Sequence, residues 1–142
     1  MRPGEEPITD DELLYRRIPA SANPAWYDPV RNELNDQAFA PSKRDATGLS
    51  VWRAKYKSLE DAAEGSPGKS YYVAVLRASD LQQAGIAIDP RPDLPDGFDP
   101  AHAELTQLKS ATRMDSKTLE LQRELVRICG NNLVGPFHTP LS

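Results

Sequence analysis

Apolar residues in this chain recur in short runs, separated by stretches that contain proline or glycine. In the run ELLYRRI at 12–18, Leu14, Arg16 and Ile18 alternate with the residues between them, and Pro19 ends the run. A period of two places alternate side chains on opposite faces of an extended chain. The pattern therefore predicts a β-strand in which Arg16 shares a face with two aliphatic residues.

Four further runs predict strands. LSVWR follows Gly48, and KSYYVAVLRA at 69–78 is apolar over most of its length, which is typical of a strand buried on both faces. The short run IAI at 86–88 is a candidate strand. VGPFHTP at 134–140 predicts an edge strand, because Pro136 cannot donate a hydrogen bond inside a sheet.

Capping signals predict two short helices. Ser58 and Asp61 form a capping box for the segment LEDAAEG, in which the final glycine is the stop. SDLQQAG at 79–85 has Ser79 or Asp80 as its cap and also ends in glycine. Each segment is long enough for only one or two helical turns.

Aspartate followed by proline opens two more predicted helical segments. These are a short turn in VRNELN at 30–35 and a helix in AHAELTQLK at 101–109. The longest predicted helix covers SKTLELQRELVRICG at 116–130, where leucines form an apolar stripe and Gly130 supplies the stop.

Together these elements predict an α+β fold. We expect a single compact domain at 12–142, with a central mixed or antiparallel sheet flanked by short helices and a C-terminal helix. Residues 1–11, MRPGEEPITDD, are acidic and contain proline, which predicts a flexible terminus. A chain of this length buries roughly 70% of its unfolded surface, so the domain needs no covalent or metal staple.

The single cysteine and the hydropathy of the chain predict the cellular compartment. Cys129 is the only cysteine, which excludes an internal disulfide and predicts a reducing, cytoplasmic environment. No apolar run approaches about 18 residues and the first residues lack a signal-peptide pattern, so we expect no membrane association. His102 and His138 share no ligand spacing with Cys129, and no metal site is predicted.

Charge is distributed unevenly along the chain. Residues 43–57 carry five cations and one acid, a local charge of +4, so the remainder of a protein with net charge −4 carries −8. A protein that binds DNA generally would spread its cations to neutralise many phosphates, so general DNA binding is not expected. One cationic window, 43–57, instead suits a small anionic ligand such as a nucleotide, or an acidic protein surface.

Arg16 is the first candidate site residue, because its strand face is one that a folded sheet buries. An unpaired buried guanidinium is costly, so an anion is expected to meet it there. Its fork of donors suits a phosphate or carboxylate. Two alternatives stay open: Arg16 points to solvent while its neighbours face inward, or it pairs with an internal acid.

The second group of candidates surrounds the strand LSVWR. Ser50 and Trp52 lie on one face of that strand, where a hydroxyl beside an aromatic ring can orient a ribose or stack a planar base. Arg53 and Tyr56, with the lysines at 55 and 57, form the centre of the cationic window. The alternatives are a serine that hydrogen-bonds within the sheet and a charged, solvated rim.

His102 and Glu104 are the third group. A carboxylate can hold a sugar hydroxyl while a histidine moves a proton. In the predicted helix their spacing of two points them to different sides, and Glu104 is then explained by the helix dipole alone. They would act together better if HAEL were extended, which Pro100 leaves open.

Common catalytic motifs are absent from the sequence. It contains no G-x-G-x-x-G, P-loop, G-x-S-x-G or H-E-x-x-H. A nucleophilic triad would need His102 or His138 beside a serine or cysteine, and the local sequence gives no sign of either arrangement. Hydrolases of that type are therefore not predicted.

The order of these elements resembles the small ADP-ribosyltransferase-like domains, of the tRNA 2′-phosphotransferase and RES toxin branches. The similar segments are a strand with a basic residue (LLYRR), a strand with serine (GLSV), an alanine-rich helix (SLEDAAEG) and a long aliphatic strand with a turn (YYVAVLRASDLQQAG). The resemblance covers roughly 12–106. The chain departs from the family in having no clear His-Tyr-Glu set and no Glu-x-Glu.

The resemblance implies a bacterial, NAD-dependent transferase or glycohydrolase, of the kind found in toxin-antitoxin or defence systems. Arg16 would grip the NAD diphosphate or the nicotinamide-side ribose, Ser50 would support the ribose, and Glu104 or His102 would fill the late polar position. The rival hypothesis is a non-enzymatic interaction module, such as an accessory, immunity or adaptor subunit. Its partner surface would combine the cationic window, the loop at 89–100, and an exposed Trp26 and Tyr27.

Overall fold

The alternating run at the start of the chain forms a strand in the interior of an antiparallel sheet. A computed structural model describes residues 1–21 and 25–141. Its strands are β1 (Leu13–Pro19), β2 (Tyr27–Asp28), β3 (Glu33–Leu34), β4 (Leu49–Arg53), β5 (Ser70–Arg77), β6 (Ile88–Pro90), β7 (Asp93–Leu94), β8 (Gly97–Phe98), β9 (His102–Leu105) and β10 (Leu133–His138).

Within this described part of the chain, six strands form the main sheet in the order β10-β5-β1-β4-β9-β6. Every neighbouring pair is antiparallel. The two small pairs, β2-β3 and β7-β8, are hairpins outside it. The predicted α+β class, with an antiparallel sheet and a C-terminal helix, is confirmed.

The helices begin and end close to the predicted signals. They are α1 (Leu59–Ala63), α2 (Ala78–Gln83) and α3 (Ser116–Cys129), with 3-10 turns at Asp36–Phe39 and Ser110–Thr112. The Ser58 side chain accepts from the Asp61 N–H at the start of α1, as the capping box predicts. In contrast, α2 starts without a side-chain cap.

The prediction of a helix at 101–109 is wrong. Residues 102–105 form β9, a strand buried along its whole length between β4 and β6. Asp99 accepts from the Ala101 N–H in a tight turn, so the capping signal that predicted a helix initiates a turn instead. The predicted helical turn at 30–35 is also wrong, because those residues turn into β3 of a hairpin.

The edge-strand prediction for the end of the chain is confirmed. β10 lies at one edge of the sheet and pairs only with β5 among the described strands. The pairing is irregular between Val134 and Phe137, where Pro136 cannot donate to a ladder.

The main core lies on one face of the sheet, under α3. Leu14 and Ile18 of β1 are fully buried there and share a cluster with Leu125 and Cys129 of α3. α1 lies against the other face, next to β1 and β5. The two faces of β1 therefore have different neighbours, and Arg16 and Arg17 point to opposite sides of the sheet.

The N-terminal residues, predicted to form a flexible tail, make specific contacts with the domain. Arg2 Nη2 donates to both carboxylate oxygens of Asp93, and the carbonyls of Gly4 and Glu6 accept from Arg53. Ser79 donates its backbone N–H to the carbonyl of residue 10.

The aromatic pair at 26 and 27 is not exposed as the interaction hypothesis required. Both side chains are half-buried. Trp26 packs against the core, and Tyr27 meets Tyr72 edge-to-face with ring centroids 4.9 Å apart.

Candidate functional site

The main sheet opens between its two central strands. β1 pairs with β5 over its whole length, but it pairs with β4 only at Leu14↔Arg53 and Tyr15↔Trp52. Beyond Tyr15 the two strands separate, while β4 stays paired with β9 from Leu49 to Trp52. The separation leaves backbone groups of β4 without a strand partner on the β1 side.

Two charged side chains satisfy those backbone groups. The Ser50 N–H donates to Asp45 Oδ1 at 3.3 Å, and the Ser50 carbonyl accepts from Arg16 Nη1 at 3.1 Å. Arg16 Nε also donates to the Ala38 carbonyl at 3.3 Å. Asp45, which is buried, receives the N–H and hydroxyl of Ser42 on its other oxygen. Arg16 and Asp45 thus replace a missing strand contact inside the sheet.

A cleft of about 620 Å³ forms where the strands part. It is lined by basic, hydroxyl, aromatic and acidic side chains: Arg16, Arg17, Trp26, Ser42, Arg44, Asp45, Ser50, Trp52, Ser66, Tyr71, Asp96, Asp99 and His102, together with Pro19 and Leu94. Its volume is within the range of small-molecule sites. The loop that carries β7 and β8 forms one wall, because Leu94, Asp96 and Asp99 belong to it.

The three arginines of the cleft have no carboxylate partner at ion-pair distance among the described residues. Arg16 bonds to carbonyls only, and Arg17 donates to the Glu64 carbonyl. Arg44 is exposed. Six other arginines do pair with acids: Arg2, Arg31, Arg53, Arg91, Arg123 and Arg127. Three guanidinium groups without an acid partner therefore line this one cleft.

Burial and mutual repulsion act on these guanidinium groups. Burial lowers the pKa of Arg16, the Asp45 carboxylate raises it, and Arg17 lowers it. Burial likewise lowers the pKa of Arg17; Tyr71 opposes the shift and Arg44 adds to it. Both pKa values are lowered, so the surroundings of Arg16 and Arg17 disfavour their charged forms. An anion bound in the cleft would favour the charged forms.

The aromatic ring predicted to stack a base already has cationic neighbours. The Arg17 guanidinium lies 5.5 Å from the Trp52 ring centroid and 5.2 Å from that of Tyr71. Lys57 Nζ lies 5.6 Å from the Trp52 centroid. A planar ligand would therefore share Trp52 with Arg17 or Lys57, and a cation on the ring also favours an anionic ligand close to it.

Ser50 and His102 come together on the cleft side of the sheet. His102 is opposite Trp52 in the β4-β9 ladder, and its Nε2 lies 3.1 Å from Ser50 Oγ. Its Nδ1 lies 2.8 Å from the Arg91 carbonyl. A carbonyl can only accept, so Nδ1 carries the proton in that bond, and a neutral ring accepts the Ser50 hydroxyl at Nε2. This ring orientation follows from the strand at 102–105 that replaces the predicted helix.

Glu104 shares the strand face of His102 but takes part in a different contact. It pairs with Ser50 in the ladder, and its Oε1 accepts from the Thr47 hydroxyl at 2.7 Å. It is buried and does not line the cleft. His102 and Ser50 are thus brought together with Arg16, whereas Glu104 faces the start of β4.

Arg53 and Tyr56 lie away from the cleft. Arg53 is fully buried and bonds to Glu12 at 2.8 and 2.9 Å and to Glu6 at 2.9 Å. The Tyr56 hydroxyl donates to Glu6 at 2.8 Å. These two predicted ligand-binding residues hold the N-terminal segment to the domain.

The cations of the 43–57 window occupy separate environments. Arg44 lines the cleft, and Arg53 is inside the protein. Lys55 pairs with Glu6 and Lys57 with Asp99, at 3.0 and 2.9 Å. The window is therefore not one continuous positive surface, and Arg44 is its only cation in the cleft lining.

Sequence reasoning missed Arg17, Asp45 and Tyr71 as parts of the site. Arg17 and Tyr71 lie on adjacent strands, where the β1-β5 register cannot be read from spacing. Asp45 had one signal, since it is the only acid among the cations of 43–57.

Comparison of the chain with models of protein families, with curated proteins and with solved structures finds no match. In residues 1–21 and 25–141, no helix has the length and apolarity needed to cross a membrane. The same residues contain no cluster of three or more histidine, cysteine or acidic side chains arranged to hold a metal ion.

Proposed function

We propose that the cleft between β1 and β4 binds NAD or a related nucleotide, in a domain of the ADP-ribosyltransferase-like type. The observation that carries this proposal is the grouping of Arg16, Arg17 and Arg44, none paired with an acid, in a cleft of about 620 Å³. A ligand with phosphate groups supplies the negative charge that would pair with these arginines.

Each part of a nucleotide has suitable side chains in the cleft. The guanidinium groups of Arg16, Arg17 and Arg44 suit a diphosphate. The Ser50 hydroxyl suits a ribose hydroxyl. Trp52 and Trp26 offer aromatic surface for a base, which would lie beside the Arg17 side chain.

The corresponding reaction is cleavage of the bond between nicotinamide and ribose. It passes through an oxocarbenium-like ribose, which a carboxylate steadies electrostatically. Glu104 is held by Thr47 outside the lining of the cleft, whereas Asp45 lies in that lining next to Ser50. In this proposal Asp45, and not Glu104, faces the ribose.

Ligand-induced stabilisation tests the binding step. We expect NAD, and ADP-ribose without the nicotinamide, to raise the midpoint of thermal unfolding. A ligand at one hundred times its Kd stabilises a protein by about 2.7 kcal/mol. The informative variant is Arg44→Ala, because Arg44 is exposed and its removal leaves the fold intact, while binding weakens.

Lys43→Ala is the matched control. Lys43 is also an exposed cation, it is adjacent in the chain, and it does not line the cleft. We expect it to bind like the unaltered protein. Arg16→Met is unsuitable as a binding test because Arg16 also satisfies two backbone carbonyls. The proposal fails if neither ligand shifts the midpoint at millimolar concentration, or if both alanine variants weaken binding equally.

The rival hypothesis of an interaction module gains no specific support from the described residues. Its cations are divided among separate environments, and its aromatic pair is half-buried. It becomes the better account if nucleotides do not bind and a purified candidate partner forms a stable complex on size exclusion.

A further inference from the structure

We propose that Ser50 is a nucleophile, activated by His102, that attacks the phosphorus of a phosphate ester held by the arginines of the cleft. This goes beyond nucleotide binding: it shares the arginines of the cleft with that proposal and adds the contact between Ser50 and His102. It would hold for any phosphate ester of suitable size, and it would fail independently of the NAD proposal.

The geometry has the parts that an activated serine requires. Ser50 Oγ is 3.1 Å from His102 Nε2, and His102 Nδ1 is 2.8 Å from the Arg91 carbonyl. The second bond fixes the ring and its tautomer, so that Nε2 is available to take the hydroxyl proton. Both side chains line the cleft. Asp45 Oδ1 lies 3.5 Å from Ser50 Oγ, so the hydroxyl is closer to the imidazole than to the carboxylate.

A second serine–histidine contact in the same protein shows which feature matters. Ser70 Oγ of β5 and His138 Nδ1 of the edge strand β10 are also 3.1 Å apart, in an exposed contact. In the described residues no second hydrogen bond orients the His138 ring, and neither residue lines the cleft. The Ser70 pair therefore has the same distance without the fixed ring or the surrounding cations.

Charge around Ser50 favours phosphorus over carbon as the electrophile. Arg16 lies 3.1 Å from the Ser50 carbonyl, and Arg17 and Arg44 share the cleft without acid partners. A phosphate ester carries negative charge before and during attack, and guanidinium groups stabilise that charge on the non-bridging oxygens.

The reaction balances with water as the only other reactant. Ser50 Oγ forms a bond to phosphorus as its proton passes to His102 Nε2. The ester bond breaks, and the leaving alkoxide takes that proton. Water, deprotonated by His102, then attacks the phosphoserine, releases the phosphate and restores the Ser50 hydroxyl.

Labelling with diisopropyl fluorophosphate tests the nucleophile directly. This uncharged reagent transfers its phosphoryl group to an activated serine and releases fluoride. We expect peptide mass spectrometry of the unaltered protein to find the label on Ser50 and not on Ser70. Ser50→Ala abolishes labelling, and Ser70→Ala leaves it unchanged. His102→Gln slows it by about 100-fold or more, the usual contribution of a general base.

A charged substrate separates the role of the arginines from that of the dyad. We expect slow release of nitrophenol from bis(4-nitrophenyl) phosphate, and a drop in that rate for Arg44→Ala. The same variant should lose a much smaller fraction of its labelling rate with the uncharged reagent, because that reagent carries no charge for Arg44 to bind. His138→Gln is the matched control for His102→Gln and should change neither readout.

The labelling site in the unaltered protein decides the proposal even if a variant fails to fold. Absence of label on Ser50, or equal labelling of Ser50 and Ser70, overturns it. A folded His102→Gln protein that is labelled as fast as the unaltered protein also overturns it.

Discussion

Arg16 and Arg53 project from the same face of the sheet, and only Arg53 meets a carboxylate. Leu14 is opposite Arg53 in the β1-β4 ladder, and Arg16 follows two residues later on the same side. Arg53 bonds to both oxygens of Glu12, while Arg16 bonds to two carbonyls. The charge of Arg53 is therefore neutralised by a carboxylate inside the protein. The charge of Arg16 is not neutralised by a carboxylate, and Arg16 lines the cleft.

The pair of Arg53 and Glu12 makes a first prediction about stability. Arg53 is fully buried, and the Glu12 side chain is only 8% exposed. Arg53→Met leaves a carboxylate buried without its partner. We expect this to lower the free energy of unfolding by about 3–5 kcal/mol, measured by urea denaturation.

A second variant separates lost packing from unpaired charge. Arg53→Met combined with Glu12→Gln removes both charges, and we expect it to be less destabilised than Arg53→Met alone. Equal destabilisation of the single and the double variant would show that the buried carboxylate is not the cause. The same result would leave the contacts of Arg53 with the Gly4 and Glu6 carbonyls as the explanation.

Acid pH tests the contacts of the N-terminal segment. The hydrogen bond from Lys55 holds the pKa of Glu6 at about 2, against an ordinary value of 4.5; burial opposes this, and the Tyr56 hydroxyl supports it. The folded pKa is lower than the unfolded one, so the contribution to stability is complete above about 4.5 and is lost as the pH falls to about 2. The pKa of Glu12 is also lowered. Burial raises it, but the hydrogen bonds from Arg53 and the Thr9 N–H lower it by more, so Glu12 likewise loses its contribution to stability as the pH falls.

The measurement is the free energy of unfolding between pH 6 and pH 2. We expect it to fall across the acid part of this range, and to fall less steeply for Glu6→Gln. Glu60→Gln is the control, because that carboxylate is exposed and makes no ion pair among the described residues. An unchanged slope in Glu6→Gln would mean that Glu6 does not contribute to acid unfolding.

Local sequence rules located most elements and could not locate the long-range contacts. The alternation in ELLYRRI and the capping box at Ser58 concern neighbours in the chain, and both matched the structure. The Asp-Pro pair before residue 101 is compatible with either a helix cap or a turn. Residues 102–105 form a strand because they are buried between two neighbouring strands of the sheet. The formation of β9 therefore depends on contacts with distant segments, which the spacing of residues in the sequence does not reveal.

The candidate site shows the same limit. Arg16, Ser50 and His102 could each be selected by residue type and strand face, and all three line one cleft. Their partners could not be selected in this way, because the contacts join residues far apart in sequence. Arg16 and Ser50 are 34 residues apart, and Ser50 and His102 are 52 apart.

Gly65 provides a test of how Tyr71 is held at the edge of the cleft. A Cβ at this position would overlap the Tyr71 ring, whose hydroxyl accepts from the Ser66 N–H at 2.9 Å. The glycine is needed for close approach and not for an unusual backbone angle. We expect Gly65→Ala to destabilise the protein by about 1–3 kcal/mol, the usual cost of overpacking, as measured by urea denaturation.

The Tyr71→Ala background is the control for this explanation. Without the ring there is room for the new methyl group, so Gly65→Ala should then cost much less than it does in the unaltered protein. An equal cost in both backgrounds would assign the effect to the backbone. Since Arg17 lies over the Tyr71 ring, Gly65→Ala should also weaken any anion bound by Arg17.

Cys129 makes the last prediction, which concerns reactivity. Its side chain is fully buried at the end of α3, and burial raises the pKa of the thiol to about 11, although a hydrogen bond with the backbone of Asn132 lowers it. The thiolate is the reactive form and is scarce in the folded protein at neutral pH. We expect a disulfide reagent to modify Cys129 slowly in buffer and rapidly in denaturing urea. The native rate should increase in Arg53→Met in proportion to the larger unfolded population. Rapid, complete modification of the folded, unaltered protein would show that the end of α3 opens without global unfolding.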